Sequence, residues 1–167
     1  PYRPQRLVPL RQLLDKLGEG GMGTVYCARD ASLLRQVALK TVRAGTASEA
    51  AVARFVSEAQ VTSQLDHPNV VPVYALERDA DGNVAYALKL VRGVALDEVI
   101  SRAKKRGTGP DPDGISLDLA SRLEIFLKIC DGVSYAHRRG VLHRDLKPAN
   151  VMVGRFGEVY VLDWGLC

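Results

Sequence analysis

A glycine cluster that runs into a strand, not a helix, does most to limit what this chain can become. Gly18-Glu19-Gly20-Gly21-Met22-Gly23 leads directly into Thr24-Val25-Tyr26-Cys27-Ala28. The β-branched and aromatic residues of that second stretch favour a pleated strand. A dinucleotide-binding fold would follow such glycines with a helix whose N-terminus faces a pyrophosphate, so this order argues against it. The absence of a Gly-Lys-Ser/Thr sequence excludes a P-loop as well. What fits is a meander: Leu14-Asp15-Lys16-Leu17, the glycine turn, Thr24–Ala28, a second turn, then Gln36-Val37-Ala38-Leu39-Lys40.

The rest of the chain extends that pattern. Residues 1–12, with Pro1, Pro4 and Pro9, read as an irregular leader. Ser48 is a plausible N-cap, with Glu49 in the first turn, for a helix running to about Leu65. Val52, Phe55, Ala59 and Thr62 share one face of it, Glu58, Val61 and Leu65 lie beside them, and Pro68 closes the element. Strands over Val70–Glu77 and Val84–Leu90 flank a turn at Asp79–Asn83, making residues 13–91 a five-stranded lobe with one helix. Residues 92–167 read as mainly helical. Arg102–Gly114 is expected to be a surface loop, its Lys104-Lys105-Arg106 run a solvated charge cluster. Ser116 is expected to cap a long helix whose apolar positions Leu119, Leu123, Phe126, Leu127, Cys130 and Val133 recur at helical spacing, and Gly140 to stop it. A loop at His143, a strand at Val151–Val153, a turn through Gly154 to Gly157 and a strand at Val159–Leu162 follow. The fold class is α+β.

The net charge of +4 invites a nucleic-acid reading, but with 6% aromatics and no arginine-rich run carrying them, none is expected. Cys27, Cys130 and Cys167 share no metal-ligand spacing and read as free thiols of a reducing, cytoplasmic compartment. No apolar run approaches the roughly 20 residues of a membrane helix, and the start resembles no signal peptide. The chain opens on Pro1, not Met, which suggests an excerpt.

Chemistry concentrates in His143-Arg144-Asp145-Leu146-Lys147-Pro148-Ala149-Asn150, followed by Asp163-Trp164-Gly165. A candidate base, a lysine and two oxygen ligands for Mg²⁺ within some twenty residues are what phosphoryl transfer requires. The pattern resembles the catalytic loop and metal-binding motif of the protein kinases, of the serine/threonine type common in bacteria. Val37-Ala38-Leu39-Lys40 resembles the strand bearing their phosphate-binding lysine, and the glycine cluster a hairpin lid whose backbone N–H groups close over ATP phosphates.

The resemblance implies roles. Asp145 accepts the proton of a substrate hydroxyl, Lys147 neutralises charge on the transferring γ-phosphoryl, and Asn150 and Asp163 hold Mg²⁺, with Mn²⁺ the alternative ion. Lys40 contacts the α/β-phosphates and is held by a carboxylate, for which Glu58 is the best placed and Glu49 and Asp66 are the alternatives. Gly18, Gly20 and Gly23 cover the phosphates; Leu17, Val25, Ala38, Leu88, Met152 and Leu162 form an adenine slot, with the backbone of Lys89 and Val91 as its hinge. The implied function is transfer of the ATP γ-phosphoryl to a protein Ser or Thr. An inactive ATP-binding pseudokinase or scaffold is the alternative, and Lys147 argues against a small-molecule kinase.

Departures are also legible. Trp164 stands where the family usually has Phe and is expected to alter packing and switching more than chemistry; His143 is expected to pack. Thr62 replaces a larger apolar residue, and Ala95 stands where some relatives offer the ATP ribose a carboxylate. Arg144 would in relatives pair with a phosphorylated activation loop. The resemblance covers about Leu13 to Cys167, roughly the first 60% of a kinase domain. The segment alone is therefore expected to be partly disordered in its second half, aggregation-prone and inactive.

Overall fold

A computed structural model describes residues 11–20, 23–42, 47–78, 83–106, 115 and 118–164. By proximity the described residues form two compact units, one within Pro1–Val52 and Tyr74–Leu90, the other within Ala53–Val73 and Val91–Cys167.

The first unit is built on a five-stranded sheet of β1 (Arg11–Gly20), β2 (Gly23–Asp30), β3 (Arg35–Val42), β4 (Val73–Arg78) and β5 (Val84–Lys89), in the spatial order β1-β2-β3-β5-β4. β1–β2 and β2–β3 pair antiparallel across short turns, and β3 pairs antiparallel with β5 across an intervening helix and β4. Alternation sorts the two faces. Ala28, Val37, Leu39 and Ala87 form the buried cluster of one face. Register places Val25 opposite Lys40, and Ala38 opposite both Cys27 and Leu88, on the other face. β1 begins at Arg11, two residues before the expected Leu13, and Arg11 pairs with Glu77 of β4. The β2–β3 turn is held by Asp30, whose Oδ1 accepts the Ser32 and Leu33 amides at 3.1 and 3.2 Å. The turn at Asp79–Asn83 lies outside the described residues except Asn83.

In the second unit, α1 (Glu49–Ser63), most of whose length belongs here, buries Phe55, Glu58, Ala59 and Thr62. Ser48 caps it as expected, its Oγ accepting the Ala51 amide at 3.2 Å. Strand β4 starts at Val73, not Val70; Val70 instead makes an isolated parallel bridge to Val161. A second sheet, β6 (Gly93–Ala95), β7 (Val151–Gly154) and β8 (Val159–Val161), runs in the order β6-β7-β8. Helix α2 (Leu96–Arg106) and helix α3 (Leu119–Arg138) complete it. Val99 of α2 and Ile125 of α3 pack with Val151, Val153 and Val159.

Two further expectations are corrected. Residues 102–106, expected in a loop, belong to α2: Leu96, Val99 and Ala103 make an apolar face that packs on the core, and this outweighs the loop-like composition. Residues 107–114 and Ser116 lie outside the described residues. The cap of α3 is Asp118, whose Oδ1 accepts the Ser121 amide at 2.7 Å. Strand β6 went unforeseen. Gly140 ends α3 as expected, at φ 77, a left-handed conformation that glycine adopts without strain.

Candidate active site

The loop after α3 gathers its polar groups around Asp145. Lys147 Nζ donates to Asp145 Oδ2 at 2.7 Å. Asn150 Nδ2 donates to the Asp145 carbonyl oxygen at 2.9 Å and to Oδ2 at 3.2 Å. Pro148–Asn150 forms a 3-10 turn that brings Asn150 back toward Asp145, with proline in its first turn where a missing N–H does no harm. Arg144 has φ 60, a left-handed kink just before Asp145. The Lys147 hydrogen bond lowers the Asp145 pKa most; partial burial opposes it, and the charge of Lys147, the Asn150 bond and His143 lower it further. Asp145 is therefore ionised at neutral pH, as a proton acceptor must be. Because the Asp145–Lys147 pair is half exposed, its effect is orientation rather than stability.

His143 is buried and joins this loop to the metal-motif segment. Its Nε2 donates to the Leu162 carbonyl oxygen at 2.7 Å, and its Nδ1 faces the Asp145 amide at 3.4 Å, which together select the tautomer with hydrogen on Nε2. The Leu162 amide donates to the Asn150 carbonyl oxygen at 2.8 Å. The segment of Asp145 and Asn150 is thus tied to Leu162, next to Asp163, by one backbone hydrogen bond and one from the His143 side chain. Asp163 is exposed, with φ 57. Asn150 turns its amide nitrogen to Asp145, leaving its side-chain oxygen as the donor atom for a cation. An amide oxygen and a carboxylate form a hard-oxygen set that fits Mg²⁺, which keeps waters and phosphate oxygens as its other ligands. No group of three or more His, Cys, Asp or Glu suited to a metal occurs among the described residues, and this smaller set needs none. Met152 and Leu162 are half-buried nearby in sequence, Met152 opposite Ala95 in the β6–β7 pair, and Val91 is half-buried before β6.

In the first unit, Lys40 is buried on the sheet face that carries Val25, Ala38 and Leu88, its Nζ 5.7 Å from the Tyr86 ring centroid. Lys89, opposite Val37, falls on the other face. Gly20 pairs with Gly23 and Gly18 with Val25 at the tip of the β1–β2 hairpin, beside the exposed Leu17. Gly23 is sterically obligatory: φ is +133, and a Cβ would lie 2.1 Å from the Thr41 carbonyl oxygen. Gly18 and Gly20 have open space where a Cβ would stand, room for a ligand to approach the backbone. Gly21 and Met22 lie outside the described residues, as does Gly165.

Sequence reasoning overlooked Asn69. Its Nδ2 donates to the Val159 carbonyl oxygen at 2.9 Å and its carbonyl oxygen accepts the Val161 amide at 2.8 Å, anchoring β8 and hence the segment leading to Asp163. Gly132 of α3 allows this, since a Cβ there would lie 3.2 Å from Asn69 Cβ. The only local signal was an asparagine just after the helix-ending His67-Pro68.

The protein kinase domain model matches residues 11–167. Serine/threonine-protein kinase PknD of Protochlamydia amoebophila (strain UWE25) is 40% identical over 157 residues, covering 93% of this chain and 16% of that protein. The proteins of the same name in Chlamydia caviae and Chlamydia trachomatis serovar D are 40% and 39% identical over 154 and 155 residues, each covering 92% of this chain and 16% of its own length. This chain therefore spans about one sixth of the relatives it matches.

Proposed function

The chain belongs to the protein kinase domain family, and from that premise we propose that it supplies the ATP-handling part of a serine/threonine protein kinase. The observation that carries this reading is the bonding of Lys147 and Asn150 to one carboxylate, Asp145, together with the bridge from Asn150 to the segment of Asp163. In the proposed reaction a Ser or Thr hydroxyl oxygen of a protein substrate forms a bond to the ATP γ-phosphorus. The β–γ bridging O–P bond breaks, its electron pair leaves with ADP, and the hydroxyl proton passes to Asp145. Lys147 offsets charge on the phosphoryl oxygens in flight. Asn150 and Asp163 are the proposed ligands of Mg²⁺ or Mn²⁺, which when bound neutralises phosphate charge. Lys40 takes the α/β-phosphate role and Glu58 the carboxylate role that accompanies it. Gly18, Gly20 and Gly23 contribute backbone to the phosphate cover. Leu17, Val25, Ala38, Leu88, Met152 and Leu162 are proposed for the adenine, with Lys89 and Val91 offering backbone hydrogen bonds.

We assign residues 13–91 to the small lobe and 92–167 to part of the large one. No described helix is long and apolar enough to cross a membrane; a cytoplasmic setting for the catalytic part is part of the proposal. The test is Asp145→Asn in the complete protein, assayed for phosphate transfer from ATP to a protein acceptor. We expect kcat to fall about 10²–10⁴-fold with ATP binding retained. An unchanged kcat would overturn the base assignment, and ATP binding without transfer by the wild type would leave a scaffold.

A further inference from the structure

Trp164, the single tryptophan of the chain, is fully buried among Leu65, Val70, Ala136 and Val161. Its indole N–H donates to the Val161 carbonyl oxygen, three residues back, at 3.2 Å. Inside the loop so closed sits Asp163 with φ 57. A left-handed conformation is unfavourable for a residue with a Cβ, less so for aspartate than for most, and the surroundings that hold it here are identifiable. The residues before Asp163 are firmly tied. Val161 donates its amide to the Asn69 carbonyl oxygen at 2.8 Å; Leu162 donates to Asn150 at 2.8 Å and accepts from His143 at 2.7 Å. On the other side of Asp163 stands the indole, which also packs against His143 with ring centroids 4.8 Å apart. A phenyl ring would keep an aromatic body in the apolar cluster, with less volume, but carries no donor for Val161.

We propose that Trp164 is a positioning residue whose indole hydrogen bond latches the backbone around Asp163 in its left-handed turn, and so sets the Asp163 carboxylate for the divalent cation. The proposal rests on the reading of Asp163 as a metal ligand. It assigns the hydrogen bond, rather than the volume of the ring, the job of holding residue 163. Without the latch, residue 163 relaxes toward negative φ and its carboxylate turns with it.

The test compares the complete wild-type protein with Trp164→Phe, with Trp164 replaced by benzothienylalanine (the same shape without the N–H), and with Asp163→Asn. Two readouts are independent of turnover: deuterium exchange of the peptide spanning residues 160–164, and ATP affinity measured with and without Mg²⁺. Both Trp164 variants should exchange this peptide about five-fold faster and lose about five-fold of the Mg²⁺-dependent gain in ATP affinity, as loss of one hydrogen bond implies. Their affinity for ATP without Mg²⁺ should be unchanged. Wild-type exchange and Mg²⁺ gain in the benzothienylalanine protein would overturn the latch, even if Trp164→Phe were impaired. Should Asp163→Asn keep the full Mg²⁺ gain, the metal reading falls, and exchange alone then decides the latch: faster exchange upholds it and unchanged exchange overturns it.

Discussion

At Asp145 the Lys147 ammonium, 2.7 Å from Oδ2, is the main cause of a lowered pKa. Asp30 is lowered by a different balance. Burial works to raise it, yet the Leu33 amide, the Arg11 charge, the Arg35 ion pair and the Ser32 amide together prevail. Only Asp30 stands at a turn where the charge is structural, tying β2 to β3. A depressed folded pKa gives stability that is full above the unfolded value near 4 and is lost as pH falls through the folded value. Asp30→Asn keeps an oxygen for the two amides while removing the charge. Its melting temperature should therefore lie below the wild type at pH 7, and the gap should close below about pH 4. Thermal melts across this range check it, and a gap independent of pH would refute the ionic contribution.

Helix α3 shows what periodicity can and cannot reveal. It carries two apolar stripes. The one with the larger side chains, Leu119, Leu123, Phe126 and Leu127, is exposed, whereas Ile125, Gly132 and Ala136 are buried. The small residues face inward because α3 must approach the backbone at Asn69, where Gly132 leaves room. Which stripe is the core is a tertiary decision. Its cap is testable: Asp118→Ala should cost about 1 kcal/mol, and Asp118→Ser should recover most of it, read from denaturant midpoints. Equal stability of the alanine variant would mean that the Ser121 amide finds water at no cost. Helix α2 escaped notice because its apolar face is only Leu96, Val99 and Ala103 amid charge, and β6 because three residues make no pattern.

At the scale of these 167 residues together, the exposed stripe on α3 is a liability. Leu119, Leu123, Phe126 and Leu127 are each more than half exposed in this segment, from 52% to 66%. The exposed part of each forfeits about 1–2 kcal/mol relative to full burial, so the stripe favours association. Expressed as these 167 residues, the chain should self-associate, and Leu123→Lys with Phe126→Glu should shift it toward monomer. Light scattering at matched concentration decides; a monomeric wild-type segment would defeat the prediction.

The motif that carries the proposed chemistry was legible because it is contiguous. His143 to Asn150 and Asp163-Trp164 carry their identities in one short stretch, and a motif read that way needs no tertiary information. The strand, turn, strand run through the glycines to Lys40 was legible for the same reason, since antiparallel neighbours joined by short turns are local in sequence, whereas the pairing of β3 with β5 was not. What only the folded chain decided were relations over distance. Among them are the Asn69 anchor under β8, the His143 tautomer set by Leu162, the indole bond closing around Asp163, and the choice of inward stripe on α3. Each depends on partners brought together by packing, and on backbone groups that every sequence carries alike, so no residue type announces them.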